Sequence, residues 1–141
     1  MSEPFFLRVQ AHEIPVWWEF VGEGLADIIR RCPSVPWTPR DIRRILRAEQ
    51  AALYVRPDEG FVVIQRLTDY VTGEPYMNVW HLWFRPGIAA RHREGLLAWL
   101  DESCRALRCE WWEFTSTREE WDNALRGTCG SPRLTWVRIP T

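Results

Sequence analysis

The chain contains no lysine; all 18 of its basic residues are arginine. That excludes Schiff-base chemistry and any lysine nucleophile or base. No apolar run is longer than a few residues, so no membrane-spanning helix is expected. The cysteines, Cys32, Cys104, Cys109 and Cys129, include no C-x-x-C pair, and with His12, His81 and His92 they offer no metal-ligand spacing. There is no Walker loop and no G-x-S-x-G. Met1-Ser2-Glu3-Pro4 lacks the basic start and apolar stretch of a leader, so a reduced, cytoplasmic chain is expected. The balance of 18 bases against 19 acids leaves no basic excess, which argues against a dedicated nucleic-acid binder.

What the chain does have is enough apolar material for one domain. It has 141 residues, 46% of them hydrophobic and 26% charged, and a single domain over 1–141 is expected. Ten tryptophans allow a small core to be built from few residues. Trp17-Trp18 and Trp111-Trp112 are doublets, and one member of each could stand at the surface as an anchor for a protein partner or a second copy.

Periodicity sets the order of elements. Phe5 to Val9 reads as a strand. From Ile14 to Cys32 apolar residues recur at three and four, with Pro15 in the first turn and Glu19, Glu23, Asp27 and Arg30 mostly on the outer face. Gly22 and Gly24 predict a bend or break in that helix. Thr38-Pro39-Arg40-Asp41 is a helix start with a cap and an answering acid, and the helix should run to about Gln50. It carries Ile42, Ile45 and Leu46 inward and Arg40, Arg43, Arg44 and Arg47 outward. Those arginines either form a solvated face or grip phosphates or an acidic partner.

Strands follow at Leu53–Arg56, Phe61–Thr68 and Asn78–Phe84, joined by tight turns. In the last, Val79, His81 and Trp83 are expected on one face and Trp80, Leu82 and Phe84 on the other. Bulk on both faces predicts a central strand covered on both sides. A helix from Ile88 or Ala89 to about Leu107, a strand at Trp111–Thr115, a short helix from Thr117 to Arg126, a loop at Gly127–Pro132 and a strand at Leu134–Ile139 complete the chain. The expected class is α/β with a mixed sheet, in the order β-α-α-β-β-β-α-β-α-β.

That order, with Val79-Trp80-His81-Leu82-Trp83-Phe84, Leu96-Leu97 with Leu100, and Cys109-Glu110-Trp111-Trp112, resembles the GNAT N-acetyltransferase superfamily over nearly the whole chain. It is most similar to the short GNAT-like proteins of tailed phages, which often carry a proline in the first turn of an early helix and a tryptophan in the late helix, as Pro15 and Trp121 do here. The resemblance implies an acyl-CoA cofactor, with its pantetheine between two splayed strands and its pyrophosphate at the start of the long helix. It places the cofactor along Leu82, Trp83 and Phe84 and over Gly87, Ile88, Ala89, Ala90, Arg91 and Arg93. Arg91 and Arg93 stand where the family's phosphate loop has small residues, so phosphate would be met by guanidinium forks or by a shifted loop at Gly87 to Ala90.

For the base, His81 on the fourth strand and Glu113 on the fifth are the candidates; imidazole suits the task by its near-neutral pKa. The family's late tyrosine acid has no counterpart among Tyr54, Tyr70 and Tyr76, leaving Cys129 or Ser131 as stand-ins. Two readings follow: an acetyl-CoA-dependent N-acyltransferase, or a non-catalytic GNAT-like binding or assembly protein, in the host cytoplasm or in a phage virion.

Overall fold

The computed structural model describes residues 3–33, 35–115, 129–130 and 135–140. Its strands are β1 (Leu7–Val9), β2 (Ala52–Arg56), β3 (Gly60–Thr68), β4 (Pro75–Phe84), β5 (Trp112–Thr115), β6 (Cys129–Gly130) and β7 (Thr135–Arg138). Its helices are α1 (Ile14–Arg31), α2 (Pro39–Arg47) and α3 (Arg93–Ala106). The strands form one mixed sheet in the order β1-β2-β3-β4-β5-β7-β6. β4 and β5 are parallel, and every other neighbouring pair is antiparallel.

Local signals explain much of this. Thr38 Oγ1 accepts from Asp41 N–H, and the Asp41 carboxylate accepts from Thr38 N–H at 2.8 Å, the reciprocal cap read from the sequence. The helix it opens stops at Arg47 rather than Gln50. α1 runs unbroken through Gly22 and Gly24, against expectation, because Gly24 is a contact point: a Cβ there would lie 2.3 Å from Phe61 and 2.7 Å from Trp83. The expected late helix, Thr117 to Arg126, lies outside the described residues. Part of the expected loop after it is strand: Cys129 and Gly130 pair with Val137 and Trp136.

β4 is central and covered on both sides, as its bulk predicts. On one side Val62, Ile64, Val79, Leu82, Phe84 and Trp112 pack under Leu96, Leu97 and Leu100 of α3. On the other, Leu53, Val55, Phe61, Val63 and Trp83 pack under Val21 and Leu25 of α1 and Ile42 and Leu46 of α2. The expected alternation along β4 does not hold. Val63 pairs with His81 and Ile64 with Val79, so Trp80 is an extra residue, a β-bulge. The bulge shifts the phase. Val79 then joins Leu82 and Phe84 on the α3 side, while Trp80 and Trp83 pack on the α1–α2 side.

Each helical layer is pinned to the sheet by a buried aspartate that accepts from an indole N–H. Trp83 Nε1 donates to Asp27 Oδ2 at 2.9 Å, tying α1 to β4. Trp112 Nε1 donates to Asp101 Oδ1 at 2.9 Å, and Arg138 Nε donates to the same oxygen at 3.0 Å, tying α3 to β5 and β7. Asp27 was expected on the outer face of α1, yet it is buried. Burial works against its charge, but the Trp83 bond and the nearby Arg31 and Arg30 outweigh that and hold its carboxyl below the usual value.

Among the described residues, no tryptophan with a described side chain stands exposed as a surface anchor. Trp17, Trp18, Trp37, Trp80, Trp99 and Trp111 are half-buried, and Trp83 and Trp112 are buried. Cys104 and Cys109 are free thiols, and burial pushes the Cys104 thiol up to about 12, which leaves it unreactive. No described helix is long and apolar enough to cross a membrane.

Candidate active site

The sheet has one discontinuity among its described strands. β4 pairs with β5 only where Met77, Asn78 and Val79 face Trp112, Glu113 and Phe114. From Trp80 to Phe84, β4 continues beside β3 with no described strand on its other edge. The bulge at Trp80 falls at the point where the two strands part. A bulge ends regular pairing and re-aims the backbone, which is why bulges recur beside functional sites.

On the face opposite α3, this region carries polar side chains. Asn78 donates to Gln65 at 3.1 Å, and its parallel neighbour Glu113 accepts from Trp111 Nε1 at 2.9 Å. Tyr76 stacks flat on Trp111 at 5.3 Å. Burial, then the charges of Glu113 and Asp69, push the Tyr76 phenol up, so it stays neutral. Glu113 is half-buried between β4 and β7 and keeps an accepting carboxylate on this face.

His81 sits just beyond the bulge. It is only 4% exposed, with its ring 4.5 Å from both Trp37 and Trp80. Its Nε2 is buried and has no hydrogen-bond partner. The expectation that it titrates near neutrality fails, because burial among these rings lowers its pKa to about 3. The imidazole is therefore neutral across the physiological range.

This has a consequence for stability. The unfolded chain binds a proton at this histidine near pH 6.5, and the folded chain does not until about pH 3. Between those values the unfolded state holds more protons, so stability falls as pH falls. The expected slope reaches about 1.4 kcal/mol per pH unit below 6.5. Urea unfolding between pH 7 and pH 5 should show it, and His81→Phe should flatten it; an unchanged slope in the variant would assign the proton uptake elsewhere.

The remaining candidates divide between backbone and charge. The side chains of Leu82 and Phe84 point into the α3 core, and Trp83 is committed to Asp27, so only their backbone can face the gap. Gly87 is exposed at φ +79°, a left-handed value that favours glycine, with open space where a Cβ would be. Ile88 packs against the α3 core, Ala89 is buried and Ala90 is exposed. The long helix does not begin at Ile88 or Ala89: a 3-10 turn spans Ala89–His92, and α3 starts at Arg93. His92, at the cap position, makes no side-chain cap bond. Arg91 is exposed and Arg93 half-buried beside this end.

A further group here is Glu59 in the β2–β3 turn, which no sequence pattern marks. Its Oε1 lies 3.1 Å from His92 Nε2 and 3.7 Å from an Arg91 nitrogen, and Arg56 Nε donates to its Oε2. Burial opposes its charge, but the bonds from His92 and Arg56 prevail and lower its pKa. An uncapped helix end flanked by two arginines is a donor-only set that suits a diphosphate, and Glu59 already neutralises part of it.

No protein-family model matches the chain, and no curated protein sequence matches it. Solved structures do match. One is described as a probable acetyltransferase, with a TM-score of 0.62 and 8% identity over 96% of this chain and 97% of that one. A second is the NatC complex bound to Gag peptide and CoA, at 0.60 and 11% over 88% and 91%. A third is a ribosomal-protein-alanine N-acetyltransferase from Brucella melitensis biovar Abortus 2308, at 0.58 and 16% over 84% and 83%. These likenesses establish a GNAT-like fold.

Proposed function

We propose that this protein is an N-acyltransferase that takes an acyl thioester of coenzyme A where β4 runs on past β5. The observation that carries the reading is the short β4–β5 pairing, which stops at Val79 beside the bulge at Trp80. A parallel pair that parts in this way leaves backbone N–H groups on one strand edge without a described partner strand. The structures with this fold include one bound to CoA.

In this reading the cofactor supplies the activated acyl group, and the chain supplies position and polarity. The backbone N–H of Leu82, which faces away from β3, would meet the thioester oxygen as it gains charge. Arg91, Arg93 and the first turn of α3 would hold the phosphates. As the new C–N bond replaced the thioester C–S bond, the amine's proton would go to Glu113 rather than to His81, whose burial leaves it too weak a base, and the freed coenzyme A thiolate would take a proton and leave.

A second reading keeps the scaffold without the chemistry, as a binding or assembly protein, in a phage particle or elsewhere. The carboxylate of Glu59 at the leading end of α3 favours it, because an anion already sits beside Arg91 and His92.

Calorimetric titration with acetyl-CoA separates the two. The enzyme reading expects binding with a rise in melting temperature, loss of binding in Arg93→Glu, and binding tighter than wild type in Glu59→Gln, which removes the competing charge. Absence of any stabilisation at millimolar acetyl-CoA, in wild type and Glu59→Gln alike, would discard the enzyme and leave the scaffold.

A further inference from the structure

The outer face of α2 carries four arginines, and the proposed acyl transfer makes no use of it. Ile42 and Leu46 are buried and Ile45 is half-buried, so the helix turns its apolar side to α1 and β2. Arg40, Arg43, Arg44 and Arg47 occupy the outward side at spacings of three and four, and together with Asp41 and Ala48 they line an open groove. None of the four forms an ion pair with a described acid. Asp41, the acid within the helix, is held by Thr38 in the cap.

Helix physics accounts for only part of this stripe. Arg44 and Arg47 lie in the last turn, where a cation answers the helix dipole. Arg40 lies in the first turn, at the positive end, where a cation is unfavourable. Like charges at helical neighbour spacing add further repulsion. Arg43 lies with its guanidinium 5.4 Å from the Trp18 ring centre, and its Nε is buried without an acceptor. A guanidinium held against a ring has already lost much of the freedom that binding would cost. The face is thus built at some expense to the free protein.

We infer that this face docks an acidic helical segment of a partner protein. The four arginines span about 10 Å of helix axis at 1.5 Å per residue. A second helix with carboxylates at the same spacing presents a row of the same length and period, so several charge pairs form at once. Nucleic acid fits less well. The chain has no basic excess, with a net charge of -1, and this stripe carries no aromatic residue on which a base could stack. The inference stands apart from the acyltransferase reading and survives its failure.

The test uses a fluorescent alanine-based peptide of about 18 residues, long enough to be helical, with glutamates at i, i+3, i+4 and i+7. A control peptide has the same composition with its glutamates consecutive, and a 20-nucleotide single-stranded RNA serves as the competing class. Anisotropy titration of the full chain should show the patterned peptide binding at least about fivefold tighter than the control, and about tenfold weaker binding to Arg40→Glu/Arg44→Glu. Arg44→Gln/Arg47→Gln, milder changes at exposed positions, should also weaken it, with circular dichroism confirming the fold of both variants. Equal binding of both peptides, tighter binding of the RNA, no binding of the patterned peptide, or full binding by both variants would each overturn the proposal.

Discussion

Asp101→Ala is expected to destabilise the protein by about 3–5 kcal/mol, the range for removing one partner of a buried charge pair. Asp101 is 5% exposed, and its carboxylate is where three elements meet: it projects from α3, receives the indole N–H of Trp112 on β5, and binds Arg138 on β7. Alanine leaves two donors without an acceptor. One is on a tryptophan with no exposed surface; the other is a guanidinium whose side chain is 21% exposed. Trp112→Phe keeps the ring and removes one donor, so it should cost clearly less, about 1–2 kcal/mol. Urea unfolding midpoints measure both, and a loss under 1 kcal/mol for Asp101→Ala would show that water replaces the carboxylate. Because this cluster ties β5 to α3, a folded Asp101→Asn should also bind acetyl-CoA more weakly than wild type if the strand gap is the binding site.

The elements that could be read from the sequence are those whose causes are local. Thr38 and Asp41 are three residues apart, and their reciprocal bonds follow from helix geometry alone. The bulk of Val79 to Phe84 placed β4 at the centre of the sheet, with a helical layer on each face, and the order of elements pointed to the GNAT-like fold. The same bulk hid the bulge. In Val-Trp-His-Leu-Trp-Phe every position suits a buried face, so alternation carries no register, and an extra residue at Trp80 leaves no mark.

The groups that shape the candidate site were hidden for a related reason: their partners are far away along the chain. Asp27 and Trp83 are 56 positions apart, and Glu59 and His92 are 33 apart. An aspartate in an amphipathic helix reads as solvated until an indole N–H from another element is known to reach it. His81 shows the converse. Its residue type suggested a base near neutrality, while its setting among Trp37 and Trp80 decides its charge, and that setting depends on how the α1–α2 connection folds over β4. Glu113 lies on β5, Arg91 in the turn that precedes α3 and Arg93 at its first position.

Gly22 and Gly24 provide the sharpest separation of local propensity from packing. Both lie inside α1, and in both cases alanine brings the same gain in helix propensity, about 0.5–1 kcal/mol. At Gly22 a Cβ would meet nothing within 4 Å, so Gly22→Ala is expected to stabilise the protein by about that amount. At Gly24 the same methyl would lie 2.3 Å from Cε2 of Phe61 and 2.7 Å from the Trp83 ring. Neither ring is free to retreat. Phe61 has no exposed surface, and Trp83 is 2% exposed with its indole N–H fixed on Asp27. Relief requires α1 to move off the sheet, which stretches the Asp27–Trp83 bond and loosens Val21 and Leu25 from the core they share with Phe61. Overpacking of this kind costs about 1–3 kcal/mol or more, so the net effect of Gly24→Ala is expected to be a loss of about 2 kcal/mol. Two identical substitutions, two positions apart, should therefore move the unfolding midpoint in opposite directions. If both stabilise, α1 does not press on β3 and β4 as closely as these distances require, and the Asp27 bond that depends on that approach would have to be abandoned with it.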